Sequence, residues 1–401
     1  MARFSFRRSL RFESLESRRL MSTAGPTAEE QYMLQILNQA RMNPSAATQE
    51  LTNNLTPDVV STLQYYNVNL QQSQQQISSA SAQPPLAWNA SLASAAQGQS
   101  QYMADTQIQS HTGANGSTPQ QRIAASGYGN ALSTGENAYA YSTSAREAMQ
   151  AFLIDWGVPS HGHRNNIQQP GVSQQNAYRD VGIGIVQTGN TTFGPEVVTQ
   201  DFASLPNEQA QIVGVAYNDN GSHFYSIGSG VGGVQISAVN LNTGQVASTQ
   251  TWASGGYELP LAPGDYQVIA SQNGQVVSSN QINVGTVNIE NDVVMNNSWV
   301  GGSLSAAIAA LQPAPAPVVT APVVVIPVQA PAPVVTVSTP VATPLAVNWQ
   351  IPDATVANSS NPDWQIAAPA TPSPSAPNNT TTFASVDSAL SSWSTWNAQV
   401  D

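Results

Sequence analysis

The stretch from Ser144 to Ile167 constrains this chain more than any other. Its opening, Ser144-Ala145-Arg146-Glu147, reads as a capping box, in which the serine oxygen takes an otherwise unpaired backbone N–H and the glutamate reaches back. Apolar residues then fall at Ala145, Ala148, Met149, Phe152, Leu153 and Trp156. That is the i, i+3, i+4, i+7, i+8, i+11 spacing of one broad buried helical stripe. Gly157 and Pro159 stop the helix, because glycine takes φ > 0 easily and proline cannot continue the ladder. His161 and His163, two of the chain's four histidines, follow on a turn just past the buried end. The fold must therefore bury this helix and hold the turn at its rim.

With 401 residues there is room for two or three domains. Only 8% of the residues are charged, and every basic one is arginine. Six of the eleven arginines lie within the first nineteen residues, and none follows Arg179. Beyond the leader, five arginines face 21 carboxylates, a net charge of −16. Nucleic acid and anionic lipid should be repelled by such a body, so neither is expected as a partner. Cysteine is absent, which excludes a disulfide frame and thiolate metal sites. No apolar run reaches the ~18 residues of a transmembrane helix.

Taken in order, Thr27-Ala28-Glu29-Glu30 is a second capping box, opening a helix with Met33, Ile36, Leu37 and Ala40 on one face and ending near Asn43-Pro44. Residues 45–85 are rich in Gln, Ser and Asn and carry no clear period. A helix is expected over about 89–105, and a short one from Thr118-Pro119 to Gly127, with proline at its first position. Strand-like runs at Val181–Val186 and Glu196–Ala203 follow the Ser144 helix. Helices followed by short β runs suggest a layered α/β sandwich.

Seven short motifs stand in order along this region: N-Q-A-R (38–41), L-A-W-N (86–89), S-H (110–111), G-E-N (135–137), G-H-R-x-N-I (162–167), V-G-I-G (181–184) and V-T-Q-D-F (198–202). Together they resemble the CAP superfamily (cysteine-rich secretory, antigen 5 and pathogenesis-related proteins) in a cysteine-free bacterial form, over roughly residues 28–205. The resemblance implies a three-layer α-β-α sandwich, an extracellular setting and a cleft lined by two histidines and acidic residues. Carried over, the cleft residues are His111, His163 and Glu136. In many members a second acid lies three residues after the helix tryptophan, and here that position is Pro159. Asp155 is the nearest carboxylate but precedes Trp156, and His161 is an extra imidazole nearby.

Two imidazoles and a carboxylate can hold Zn²⁺ or another divalent ion with one position open, so His111, His163 and Glu136 are the expected metal ligands. The same trio can also position a water by general base action. Against this, His111 in a Ser/Thr/Gly loop also reads as a solvated loop residue, and Glu136 as a backbone cap. No G-x-S-x-G elbow, cysteine or lysine offers a nucleophile, so hydrolysis would need a metal-bound water.

After Pro206, alternating runs separated every eight to twelve residues by turns such as Asn242-Thr243-Gly244 read as an antiparallel β-sandwich. The G-V-x-Y-N-D-x-N-G opening and the later S-G-G-Y-x-L-x-L-x-P-G-x-Y resemble bacterial surface repeats of the carboxypeptidase-regulatory, Ig-like class. Some of these bind Ca²⁺, for which Asn218, Asp219 and Asn220 are the candidates here. Fifteen prolines between Pro313 and Pro377 mark a disordered, extended spacer. Val386, Ala389, Leu390 and Trp393 then sit at helical spacing, a short stripe suited to docking on a cell-envelope partner or back on the sandwich. The leader contains R-F-E-S-L-E-S-R-R-L-M-S (11–22), similar to an F-E-x-L-E-x-R-x-L-x-S signature at the N-termini of exported bacterial proteins; a basic tail is its plain alternative.

The expected organisation is thus a leader (1–26), a CAP domain (27–206), an Ig-like all-β sandwich (207–300), a Pro/Ala/Val-rich spacer (301–384) and a short amphipathic C-terminal segment (385–401). The expected function is an extracellular or cell-surface module binding a small apolar ligand or peptide in the His/Glu cleft. A metal-dependent extracellular hydrolase and a structural envelope protein with a vestigial cleft are the alternatives.

Overall fold

In the computed structural model the residues described are 25–190, 192–295 and 300–312. The expected leader, Pro-rich spacer and C-terminal stripe lie outside them.

Helix α1 (Ala28–Met42) begins at Thr27, whose hydroxyl accepts from the Glu30 N–H while Glu30 returns to the Thr27 N–H, so this capping box is complete. The unpatterned Gln/Ser/Asn stretch forms three short helices: α2 (Pro44–Thr52), α3 (Pro57–Tyr65) and α4 (Leu70–Ser78). Each is opened by an Asn or Thr side chain taking an N–H of the first turn, from Asn43, Thr56 and Asn69. Their buried positions keep the helical period, Pro44, Ala47, Thr48, Leu51 and Thr52 in α2, Val59 and Leu63 in α3 and Ser73 and Ile77 in α4, but several are polar or small, which explains why the hydrophobic pattern did not reveal them.

Strand β1 (Ala87–Trp88), helix α5 (Ala90–Thr106), helix α6 (Pro119–Ala125), strand β2 (Ser133–Ser142), helices α7 (Ala145–Ile154) and α8 (Gly162–Gln168), and strands β3 (Asp180–Asn190) and β4 (Gly194–Ser204) complete the first part. The sheet order is β1-β3-β4-β2, with β2 at one edge. Alternate residues of β4 face opposite layers. Val198 and Phe202 join the core made with α1 and α7, whereas Val197 and Ala203 pack with α5-side residues. This is the three-layer α-β-α arrangement. The V-G-I-G motif lets the α5 layer approach: a Cβ on Gly182 would lie 1.9 Å from the Ala93 nitrogen, and one on Gly184 2.2 Å from the Gln97 nitrogen. Only glycine at both positions lets helix backbone rest on strand backbone.

Helix α7 departs from the sequence reading at both ends. Ser144 caps it, but Glu147 bonds Thr143 instead of completing the box at Ser144. It also stops before Trp156, because Asp155 takes a left-handed φ of 63°. Trp156 is nonetheless buried against the same core.

The second part has two sheets. One is antiparallel, in the order β10-β9-β6-β7: β6 (Gln235–Asn240), β7 (Val246–Gln250), β9 (Gly264–Gln272) and β10 (Gln275–Val284). The other centres on β5 (Gln211–Tyr217), which pairs antiparallel with β8 (Gly256–Pro260). Its opposite edge pairs with the two-residue strands β11 (Ile289–Glu290) and β12 (Val293–Val294), both parallel. The sandwich is therefore mixed, not wholly antiparallel as expected. A further correction is that α9 (Leu304–Ala310) lies where the spacer was expected to begin. Its Leu304, Ala307 and Ile308 cover Val239, Ile269 and Val276 on the outer face of the antiparallel sheet.

Candidate functional site

The site forms over the edge strand β2, where one loop from the α5 layer and one turn from the α7 layer meet. Gly135, Glu136 and Asn137 of β2 lie between them. Glycine is required at 135, since a Cβ there would sit 2.6 Å from the Tyr178 hydroxyl. The unpaired outer edge of β2 is closed by side chains: Asn166 of α8 donates to the Glu136 carbonyl at 3.1 Å and to Asn137 Oδ1 at 2.9 Å. Asn137 in turn donates to the His163 carbonyl at 3.3 Å and to Gln200 Oε1 at 3.1 Å.

His111 stands in the loop after α5, which Gln99 ties down by donating to the Ser110 carbonyl at 2.6 Å. Its Nδ1 donates to Glu136 Oε1 at 2.8 Å. The other oxygen of Glu136 is paired with Arg122 of α6, whose Nη1 also donates to the carbonyls of His111 (3.1 Å) and Ser117 (2.8 Å). Arg122 therefore fixes both the carboxylate and the loop it orients. On the opposite wall, His163 Nδ1 donates to Asp155 Oδ1 at 2.7 Å, and Asp155 Oδ2 accepts the Arg164 backbone N–H at 3.1 Å. The left-handed turn at Asp155 aims this buried carboxylate at His163.

The two imidazole rings lie 6.5 Å apart, centre to centre, tilted by 37°. Phe152 packs against His163 with ring centres 5.3 Å apart. Because a carboxylate accepts and does not donate, each Nδ1 carries the hydrogen, and in the neutral ring Nε2 is then the acceptor. The geometry is two imidazoles facing each other, each oriented from behind by its own acid. His111 is the more open, with 47% of its side chain exposed against 12% for His163.

Of the expected residues, His111, Glu136, His163 and Asp155 thus come together. His161 does not join them: it starts α8 with a left-handed φ of 53° and lines a cavity facing α4. Two groups were missed from sequence. Arg122 had no signal beyond its helix. Asp201 lay within V-T-Q-D-F, and strand alternation could have found it, since it stands directly opposite Glu136 in the β2–β4 register. Asp201 is fully buried, with its carboxyl against that of Glu136. Burial first, then the charge of Glu136, push its carboxyl well above the usual range, opposed in part by Arg122.

As a metal centre this arrangement offers two nitrogen donors. Glu136, expected as the third, is committed to His111 and Arg122 and acts as a group that orients a ligand. Two imidazoles sharing a tetrahedral Zn²⁺ would have ring centres about 5 Å apart, so the rings would have to close by roughly 1.5 Å. Among the described residues no group of three or more His, Asp or Glu side chains is arranged to hold a metal ion. Of the Ca²⁺ candidates, Asp219 Oδ1 accepts from the N–H groups of Gly221 and His223, and Asn220 Oδ1 from that of Ser222. His223 Nδ1 lies 2.9 Å from Asp219 Oδ2.

Comparison with known proteins agrees with this architecture. Residues 34–231 match the model of the cysteine-rich secretory protein family (CAP), and residues 225–296 match the carboxypeptidase regulatory-like domain. A search of curated proteins finds no match. Six chains of solved structures match. One is the 1.5 Å crystal structure of an extracellular protein containing a SCP domain from Bacillus anthracis, 24% identical, with a TM-score of 0.25. That match covers 38% of this chain and 45% of the other, so the chain spans under half of that structure's length. The family matches, the motif order and the fold together identify a CAP domain followed by a carboxypeptidase regulatory-like domain.

Proposed function

We propose that this is an exported binding protein whose CAP domain captures a small apolar ligand or peptide between His111 and His163. The observation that carries this reading is the facing pair of carboxylate-oriented imidazoles, each held by its acid through Nδ1 and so turning Nε2 away from that acid. Export is supported by the leader's similarity to an export signature, by the acidic, lysine-free composition and by the secretory name of the matched family. No helix among the described residues is long and apolar enough to cross a membrane.

A divalent ion such as Zn²⁺ fits as a weak, exchangeable guest held by His111 and His163, with the remaining positions left to water or to donor atoms of the ligand. Calorimetric titration with Zn²⁺ tests this directly. The wild type should bind one ion, and His111→Ala/His163→Ala should abolish the heat; equal binding by both would refute the centre.

The second reading is a metal-dependent hydrolase acting on peptide or ester bonds. It has one observation in its favour, that a carboxylate–imidazole pair is also the arrangement of a general base. Turnover of a peptide and ester library that is abolished by Glu136→Gln would favour it over simple binding.

A further inference from the structure

A second concavity lies off the histidine pair. It is a cavity of about 380 Å³ between α4 and the turn that follows α7, within the size range of small-molecule sites. Its two walls differ in chemistry. Ile154, Trp156, Val158 and Pro159 make an apolar wall on the turn side. Facing them, Asn69, Gln72, Ser73 and Gln76 occupy positions i, i+3, i+4 and i+7 of the α4 segment, so one whole helix face is neutral and polar.

The amides present donors. Asn69 Oδ1 is engaged by the Gln72 N–H, and Gln76 Oε1 accepts from Arg164 at 2.8 Å, which leaves both NH₂ groups to face outward partners. His161, on the rim, has a buried Nδ1 without a hydrogen-bond partner. No Arg lines the cavity. Its single acid, Asp155, is engaged on both oxygens by His163 and the Arg164 N–H.

These features select by elimination. With no arginine on the walls an anion has no fixed cationic partner, and the one acid, Asp155, already accepts a hydrogen bond on each oxygen. An acyl chain would leave the amide wall unpaired. A peptide added as a strand would need a sheet edge, and the lining residues all come from helices, turns and loops. A neutral molecule with a hydroxyl rim and an apolar C–H face matches both walls. We propose that this groove is a binding site for a neutral saccharide, separate from the histidine cleft.

The test uses the full chain, ¹⁵N-labelled, titrated with N,N′-diacetylchitobiose and with maltotriose and followed by calorimetry and by the Trp156 indole and Gln/Asn side-chain resonances. At least one sugar should bind saturably and shift these signals. Gln72→Ala lies on an exposed helix face where alanine is well tolerated, and it should weaken binding about tenfold or more. His161→Asn, which keeps a residue type that accepts the left-handed backbone, should weaken it as well. His111→Ala should leave it unchanged, which separates this site from the cleft reading. The proposal fails if neither sugar binds by roughly 10 mM, if Gln72→Ala binds like the wild type, or if hexanoate or tetra-alanine gives the saturable shifts instead.

Discussion

Replacing Glu258 by glutamine should make the protein more stable, and only above mildly acidic pH. Glu258 lies on β8, and its Oε2 is buried without a hydrogen-bond partner. Burial first, and then the charge of Glu208, push its carboxyl from 4.5 up to about 8. The folded chain therefore keeps a proton that the unfolded chain has released between those two values. Stability is lost as pH rises through that window and levels off above it. A shift of this size is equivalent to about 3.5 kcal/mol between pH 5 and pH 8. Because the residue keeps partial exposure, the usable figure is about 2 kcal/mol. Glu290, raised to about 9, Glu196, to about 7, and Asp292, to about 6, tilt the wild type the same way. Urea unfolding followed by tryptophan fluorescence at pH 5, 6.5 and 8 reads the effect. Glu258→Gln should match the wild type within about 0.5 kcal/mol at pH 5 and exceed it by about 2 kcal/mol at pH 8. A gain that is equal at both pH values, or larger at pH 5, would refute buried-acid linkage as the cause.

Two further changes probe the scaffold and the site. Gly182→Ala would place a methyl 1.9 Å from the Ala93 nitrogen and 2.0 Å from the Leu92 carbonyl carbon, so α5 must lift off β3. We expect a loss of about 3 kcal/mol or more, and a melting midpoint within 2 °C of wild type by calorimetry would contradict that packing. Asp155→Asn keeps a residue that tolerates the left-handed turn but removes one of the two acceptor oxygens serving His163 and Arg164. Zn²⁺ affinity in the same calorimetric titration should fall about tenfold or more with little change in fold, and unchanged affinity would mean that Asp155 does not orient His163.

Much of the layered fold was legible because its signals are local. The Thr27 and Thr118 caps, the stripe of α7 and the alternate glycines of V-G-I-G each state a short-range requirement, and all are met in the structure. Helices α2 to α4 were not legible, because their Gln- and Ser-rich turns carry few apolar residues and rest on Asn or Thr caps. The parallel pairing of β11 and β12 with β5 escaped for a different reason. Two-residue strands leave no alternation to read, and their partner lies more than seventy residues away. At the site, the histidines and Glu136 stand in recognisable motifs. Arg122 does not, since its pairing with Glu136 depends on how the 110–118 loop folds back over β2.

The position of the second acid bears on what the cleft can do. The resemblance places it three residues after Trp156, where this chain has Pro159, yet His163 still has a carboxylate behind it because the backbone turns left-handed at Asp155. The replacement is not equivalent to a free acid at the rim. Asp155 is buried and holds both the imidazole and the Arg164 N–H, while Glu136 is buried and shared between His111 and Arg122. Both carboxylates are therefore engaged in holding imidazoles, with each of their oxygens already accepting a hydrogen bond. Asp201 is also closed off, buried opposite Glu136 with a carboxyl that burial pushes well above the usual range. The groups left facing the cleft are two imidazoles on rigid supports. Such a pair can accept hydrogen bonds from a ligand or hold an ion that a ligand completes, and a carboxylate-oriented imidazole is equally the arrangement of a general base, so the turnover assay with Glu136→Gln, and not the geometry of the acids, divides binding from hydrolysis.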